Sequence, residues 1–249
     1  QRELKETESI AVNADLTSEA QTRRLFDHAL KRFKRVDTLV ANAGSWETAD
    51  VPIHTMPVRQ WRHTIDHVLT STFFSMREFF RIVLRQERGN ALLIASTAGV
   101  FGEANHADYA AAKSAIAFGL TRSLKTEIAR IAPHTRDYCG GRVNCICPGW
   151  VDTERAWDGL RRIAKANGVS AEDAFQAAAA MAPLGKVLAP EEIAGLVAYL
   201  VSGEARNVTG DYRDRIEGRS ELRRATESRR NRRMRPPEPP LPPELDTMH

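Results

Sequence analysis

The sequence predicts an α/β fold, a doubly wound parallel sheet with helices on both faces. The apolar run at 91–95 is short and continuous, which suits a strand buried on both sides, and 36–41 and 142–147 read as further strands. Stretches with helical apolar spacing separate them, and this alternation is the pattern of a parallel sheet. Turn residues close two of the runs, Asn42-Ala43-Gly44 after the first and Pro148-Gly149 after the last.

Taken in order, residues 1–9 are polar and charged, like the exposed end of a helix. Ile10 to Ala14 reads as a short strand ending in Asp15. Ser18 with Gln21 makes a capping-box signal. The helix that follows should bury Leu25, Phe26, Ala29, Leu30 and Phe33. Val36 to Ala41 is the next strand. A loop with Pro52 and Pro57 leads to a helix from Val58 to Arg85. Ala91 to Ser96 is the third strand. Tyr109 to Ile131 is a long helix, with Ile116, Leu120, Leu124 and Ile128 at helical spacing. Arg142 to Cys147 is a fourth strand. Thr153 to Ala182 is polar and Ala-rich, read as short helices forming a flexible cover, and Pro190 opens a last helix to Val201 at the favoured first position.

The pattern stops after Gly210. Residues 1–218 read as one α/β domain and 219–249 as a tail, Arg-rich and then Pro-rich, with six of the 12 prolines between 236 and 243. Such a composition cannot bury a core and is expected to be disordered. The formal charge of +4 belongs to that tail. From 219 to 235, 8 Arg stand against Glu221 and Glu227, a net of +6, so the remainder nets −2. Nucleic-acid binding is therefore not indicated for the body, and the tail has no interleaved aromatics. No apolar run is long enough for a membrane helix, and no signal-peptide pattern is present. Cys139, Cys145 and Cys147 are odd in number and clustered, so no disulfide framework or zinc-ligand set follows. A reducing, cytoplasmic setting fits them.

The chemistry concentrates between Ser96 and Lys113. Ser96 falls at a strand's C-terminal end, the edge where open parallel sheets bind ligands. Tyr109 and Lys113 lie one helical turn apart on one face. A free tyrosine, with a pKa of about 10, is a poor acid or base at neutral pH, and a nearby ammonium is expected to lower that value. The phenol can then exchange a proton with a carbonyl or alcohol oxygen that Ser96 orients, while a separate cofactor carries the hydride. Each residue alone has a plainer reading, as turn serine, packing tyrosine or surface lysine. Their order along strand and helix is what singles them out.

The serine followed by Tyr-x-x-x-Lys resembles the short-chain dehydrogenase/reductase family, which has a single Rossmann-like domain. Asn42-Ala43-Gly44, Pro148-Gly149-Trp150-Val151-Asp152-Thr153, Pro183-Leu184-Gly185 and Pro190-Glu191-Glu192-Ile193-Ala194 are similar to further family marks, and the resemblance runs from about Ile10 to Gly210. It implies a cofactor, NAD or NADP, with Ser96, Tyr109 and Lys113 catalytic. It implies that Asp15 contacts the adenine, that Asn42, Ala43 and Gly44 lie along the ribose side, and that Tyr109 and Lys113 reach the nicotinamide ribose. Pro148, Gly149, Val151 and Thr153 would hold the nicotinamide. Plain strand-exit turns are the alternative at each of these loops. The substrate would be a small carbonyl or secondary alcohol, and the assembly a homodimer or homotetramer. Trp46, Phe101, Trp150 and Trp157 fall near strand ends and are candidates for an apolar substrate wall, while His67 and His106 read as surface or core residues.

Two departures stand out. Ile65-Asp66-His67-Val68-Leu69-Thr70 aligns with a family helix in which an asparagine orders a relay water, and Val68 takes that asparagine's place. The family's Gly-rich phosphate loop and its first two strands have no counterpart in residues 1–249, a difference on the order of 50 residues for two overlapping crossovers, so the resemblance implies an N-terminally truncated domain that alone is expected to be inactive. Asp211 to Gly218 puts charged sequence where the family has an apolar last strand. The expected activity is NAD(P)-dependent carbonyl/alcohol interconversion. The rival is a non-catalytic relative acting by binding or assembly.

Overall fold

The structure is a computed structural model that describes residues 7–44, 50–135 and 140–213. Trp46, Cys139, residues 214–218 and the 219–249 tail lie outside the described residues. Four parallel strands, β1 (Thr38–Ala41), β2 (Asn90–Ile94), β3 (Arg142–Ile146) and β4 (Tyr212–Arg213), form one sheet in the order β1-β2-β3-β4. The helices are α1 (Glu19–Phe33), α2 (Val58–Thr64), α3 (Ser71–Gln86), α4 (Ala98–Phe101), α5 (Ala107–Ser114), α6 (Thr121–Ile131), α7 (Glu154–Asn167), α8 (Ala171–Met181) and α9 (Pro190–Val201).

Two of the long helices carry a π-helical turn. Ile65–Thr70 joins α2 to α3, and Ala115–Leu120 joins α5 to α6. Such widened turns are uncommon and recur at functional sites. One contains Val68, and the other begins two residues after Lys113.

Strand periodicity sorts the core onto two faces. Ala91, Leu93, Val143, Cys145 and Cys147 point to the layer that contains Phe79, Val83, Ile116 and Ile128 from α3 and the α5–α6 helix. Leu92 and Ile146 point the other way, onto Leu200 of α9. The expected shared face of Cys145 and Cys147 is present: both are buried thiols, with sulfurs 4.0 Å apart. A third cluster joins α7 to α8 through Leu160, Ala164, Ala174 and Ala178.

β2 and β3 are buried almost throughout, as their apolar runs predicted. β1 is not, and its residues alternate exposed and half-buried, with Val40 41% exposed. Among the described residues no strand pairs with its outer edge. Ile10 to Ala14, expected as a strand, is irregular and in no sheet, with Ile10 37% exposed. A strand is defined by a hydrogen-bonded neighbour, and local composition supplies none. Ser18 does cap α1, accepting from Gln21 N–H. The Gln21 side chain, however, accepts from Asp15 N–H at 3.1 Å, so the reciprocal half of the expected capping box reaches three residues further back. Phe26 is buried, whereas Leu25, Ala29, Leu30 and Phe33 are half-buried. At the other edge, β4 extends β3 through Tyr212 and Arg213, so the charged 211–218 segment contributes a two-residue strand.

Arg142 closes the structure behind β3. It is 7% exposed, and its guanidinium donates to the carbonyls of Leu200 (3.0 Å), Ser202 (3.2 Å), Ala205 (3.0 Å) and Val208 (3.1 Å) at and beyond the end of α9. A cation there satisfies carbonyls that the helix end leaves unpaired. Arg142→Ala in the full-length protein is expected to cost roughly 3 kcal/mol, because several buried acceptors lose their donor at once. Arg142→Lys is expected to recover less than half, since a single ammonium cannot span the fork. Chemical-denaturation midpoints test this, and an unchanged midpoint for Arg142→Ala would contradict it.

Candidate active site

The C-terminal ends of β2 and β3 are stitched together beyond the strands. Ala95 N–H donates to Ile146 O at 2.8 Å, and Thr97 N–H to Pro148 O at 2.9 Å. This carries the Ser96 and Pro148–Thr153 loops to one sheet edge. Ser96 then turns into α4, its hydroxyl accepting from Ala98 N–H at 3.1 Å. Gly99 in that turn rests on the next helix. A Cβ there would lie 2.5 Å from the Lys113 carbonyl carbon and 2.6 Å from Ser114 N, so only glycine permits this approach. Sequence reasoning passed over Gly99, although it stands in the Ser-Thr-Ala-Gly turn.

Three candidate residues converge. Ser96 is hydrogen-bonded to the Tyr109 phenol. Lys113 Nζ lies 5.7 Å from the Tyr109 ring centroid and donates to the carbonyl of Ile94, the last residue of β2, at 2.7 Å. Lys113 is 4% exposed. Tyr109 is the third residue of α5, since the helix begins at Ala107, two residues earlier than expected.

The ionisation of this trio differs from the expectation. Lys113 does not depress Tyr109. Burial instead pushes the phenol up to about 12, against lowering by the Ser96 hydrogen bond and the Arg155 charge, and Glu103 raises it further. Burial likewise brings Lys113 down to about 8, with Cys145 and Cys147 opposing. Removing water from both groups outweighs what each offers the other. In the ligand-free protein at neutral pH, the phenol therefore keeps its proton.

These shifts fix a stability profile. The folded state favours neutral Lys113, so that contribution is present above about 10.5, is lost as pH falls through about 8, and makes stability rise over this window. Tyr109 acts in the opposite sense: its contribution is present below about 10 and is lost as pH rises through about 12. Lys113→Met in the full-length protein should flatten the first slope, as read from denaturant midpoints between neutral pH and about 10. An unaltered slope would contradict the assignment.

A cavity of about 380 Å³ opens over Ser96 and Tyr109, walled by Trp150, Glu103, His106 and Arg162 among others. Of the aromatics expected to wall it, Trp150 does. Phe101 is not among the lining residues, and Trp157 stacks on Phe175 with centroids 4.8 Å apart while its indole N–H donates to Asp152 at 2.8 Å. His106, expected at the surface or in the core, lines the cavity and meets Asp50 Oδ1 at 2.9 Å. His67 lies against His63 with ring centroids 3.9 Å apart and planes tilted by 33°, and its Nδ1 meets the His63 carbonyl at 2.9 Å.

Asn42 to Gly44 follow β1 and Pro148 to Thr153 follow β3, so both loops leave the sheet at the edge where Ser96 lies. A Cβ at Gly44, whose φ is +157°, would lie 3.7 Å from Val68, which is fully buried. Asn42, Ala43 and Gly44 are exposed. The Val68 carbonyl accepts from Thr72 Oγ1 at 2.7 Å, so the valine leaves no amide at this position. Asp15 is exposed, and Thr17 N–H (2.9 Å) and Oγ1 (2.7 Å) donate to its carboxylate, holding it below the usual range. Val151 bridges to Leu188, whose N–H donates to Trp150 O at 3.2 Å and whose carbonyl accepts from Asp152 N–H at 2.8 Å. Thr153 caps α7, accepting from Ala156 N–H at 3.2 Å. Among the described residues no group of His, Cys, Asp and Glu could hold a metal ion, and no helix is long and apolar enough to cross a membrane.

A family model described as enoyl-(acyl carrier protein) reductase matches residues 1–213. The chain belongs to the short-chain dehydrogenase/reductase family. The uncharacterized oxidoreductase YxjF of Bacillus subtilis (strain 168) is 33% identical over 204 residues, covering 82% of this chain and 75% of that protein. A variant of actinorhodin polyketide ketoreductase with NADPH superposes with a TM-score of 0.72 at 30% identity, over 80% of this chain and 73% of that one. NAD+-bound xylitol dehydrogenase does so at 0.71 and 25% identity, over 80% and 75%. The Rossmann-like parallel sheet is the fold of these family neighbours.

Proposed function

We propose that this protein interconverts a carbonyl and a secondary alcohol, with NAD or NADP carrying the hydride. One observation carries the reading: Ser96 is hydrogen-bonded to Tyr109 in the wall of a cavity, with buried Lys113 beneath the ring. Tyr109 gives its proton to the nascent alkoxide in reduction and takes it back in oxidation. Ser96 holds the substrate oxygen. Lys113 places a positive charge below the phenol and reaches the cofactor ribose.

The residues present would border both ends of a dinucleotide and not its pyrophosphate. Asn42, Ala43, Gly44 and Lys113 would border its ribose, Asp15 its adenine, and Pro148, Gly149, Val151 and Thr153 its nicotinamide. Gly44 and Thr153 are both exposed to a ligand there. When bound, that group supplies the hydride. Residues 1–249 contain no glycine-rich strand–helix turn for the pyrophosphate.

Among the family neighbours, a ketoreductase with NADPH and a xylitol dehydrogenase with NAD+ agree with both directions of the chemistry. The test is consumption of NADH or NADPH by the full-length protein with simple ketones and 3-ketoesters. No turnover with any of them would favour a non-catalytic relative, the reading that buried Val68 supports. Self-assembly belongs to the same proposal. Phe73 and Leu84 of α3 are 45% and 61% exposed, and Ala111 of α5 is exposed, which suits helix pairing in a dimer or tetramer. Sedimentation at micromolar concentration should find no monomer.

A further inference from the structure

Asp108 precedes Tyr109 and is 1% exposed. Its two carboxylate oxygens serve different elements. Oδ1 accepts from the Tyr109 backbone N–H at 2.9 Å. Oδ2 accepts from Thr64 Oγ1 at 2.6 Å and from Gln60 Nε2 at 3.4 Å, both on α2. Thr64 is itself fully buried and is the last residue before the Ile65–Thr70 π turn. One side chain thus ties the end of α2 to the first turn of α5, across 44 residues of sequence.

The placement has a chemical reason. A buried carboxylate is costly unless its lone pairs are satisfied, and here three donors from two helices satisfy them. Its side chain also sits in the first turn of α5, where backbone N–H groups point out of the helix end and an acceptor is favoured. Pinning that N–H sets the depth and rotation of α5 at the residue whose phenol meets Ser96. The other end of the tether sets the position of the π turn, where Val68 packs beneath Gly44.

We propose that Asp108, held by Thr64 and Gln60, is a positioning residue that keeps Tyr109 seated against Ser96 and in register with the Gly44 side of the site. It touches no reacting atom. It acts by fixing the backbone from which the phenol projects, where an error of about 1 Å can cost on the order of a hundredfold in rate. The inference deepens the catalytic reading above and rests on it for its kinetic arm alone.

The test uses the full-length protein with Thr64→Val, which removes one donor at nearly constant volume, alongside Thr64→Ser and Asp108→Asn. Tyrosine ring carbon NMR follows Tyr109, assigned by its loss in Tyr109→Phe, from neutral pH to about 11. In the parent the phenol, held against Ser96, should scarcely titrate over that range. In Thr64→Val and Asp108→Asn it should begin to titrate, as a loosened Tyr109 regains water, and kcat should fall about 10- to 100-fold with cofactor KM within about threefold. Thr64→Ser should restore both readouts. A Tyr109 resonance as silent in Thr64→Val as in the parent, with kcat within about threefold, would show that the tether only stabilises the fold and overturn the proposal. So would a defect that Thr64→Ser leaves unrepaired. Should Asp108→Asn fail to fold, the Thr64 pair decides alone. If Tyr109→Phe itself left turnover intact, the catalytic reading would fail while the resonance still tested the seating.

Discussion

Replacing Tyr109 with phenylalanine in the full-length protein is expected to lower carbonyl reduction by about 10³-fold or more, with cofactor affinity nearly unchanged. The ring is half-buried and packs against the main core cluster, so phenylalanine keeps the packing. What goes is the proton donor and the partner of the Ser96 hydroxyl. A 10³-fold loss corresponds to about 4 kcal/mol of barrier, more than a hydrogen bond alone supplies, because the alkoxide then forms without a proton. With its pKa pushed up to about 12 by burial, Tyr109 carries at neutral pH the proton that a nascent alkoxide needs, and is a scarce base. Reduction should therefore be nearly independent of Tyr109 ionisation below about 10, whereas alcohol oxidation should rise with pH until Lys113, titrating near 8, loses its charge. Activity of Tyr109→Phe within tenfold of the parent would remove this residue from the mechanism.

Residues 1–249 expressed alone are expected to bind no dinucleotide with micromolar affinity and to associate at micromolar concentration. β1 presents an unpaired edge among the described residues, with Val40 uncovered on one side and a gap beside it lined by Leu16, Leu25, Phe26 and Leu39. A bare edge over apolar surface is a template for pairing with other chains. On the ligand side, residues 1–249 contain no glycine-rich strand–helix turn for the phosphates, so under the proposed reading the candidate residues would serve only the adenine, ribose and nicotinamide. Each lost charge-assisted bond costs about 1.5–3 kcal/mol, so several together would carry an affinity from micromolar beyond millimolar. Calorimetric titration with NADH and NADPH, beside a thermal melt, measures this. Micromolar binding with a cooperative melt would mean that the open edge matters little.

The sequence by itself determined the central buried strand, because 91–95 is a continuous apolar run that suits a place between two helix layers, whereas β3 buries Arg142 and Asn144 only through their bonds to residues 200–208. It also brought Ser96, Tyr109 and Lys113 together, since a strand end and a one-turn helical spacing are local geometry. What it could not determine were properties that need a partner. Ile10 to Ala14 has a strand's composition and no strand beside it, so the expected ladder does not form. The ionisation of Tyr109 and Lys113 was read from their proximity, and the tertiary structure reversed it, because burial acts on each charge separately and outweighs their attraction. The cavity wall at His106 and Asp50, 56 residues apart, and the Thr64–Asp108 tether, 44 apart, have no signature in either segment alone. They exist only once the sheet's crossovers have brought the loops and helices to the same edge, where removal from water turns an ordinary aspartate or histidine into a fixed part of the site.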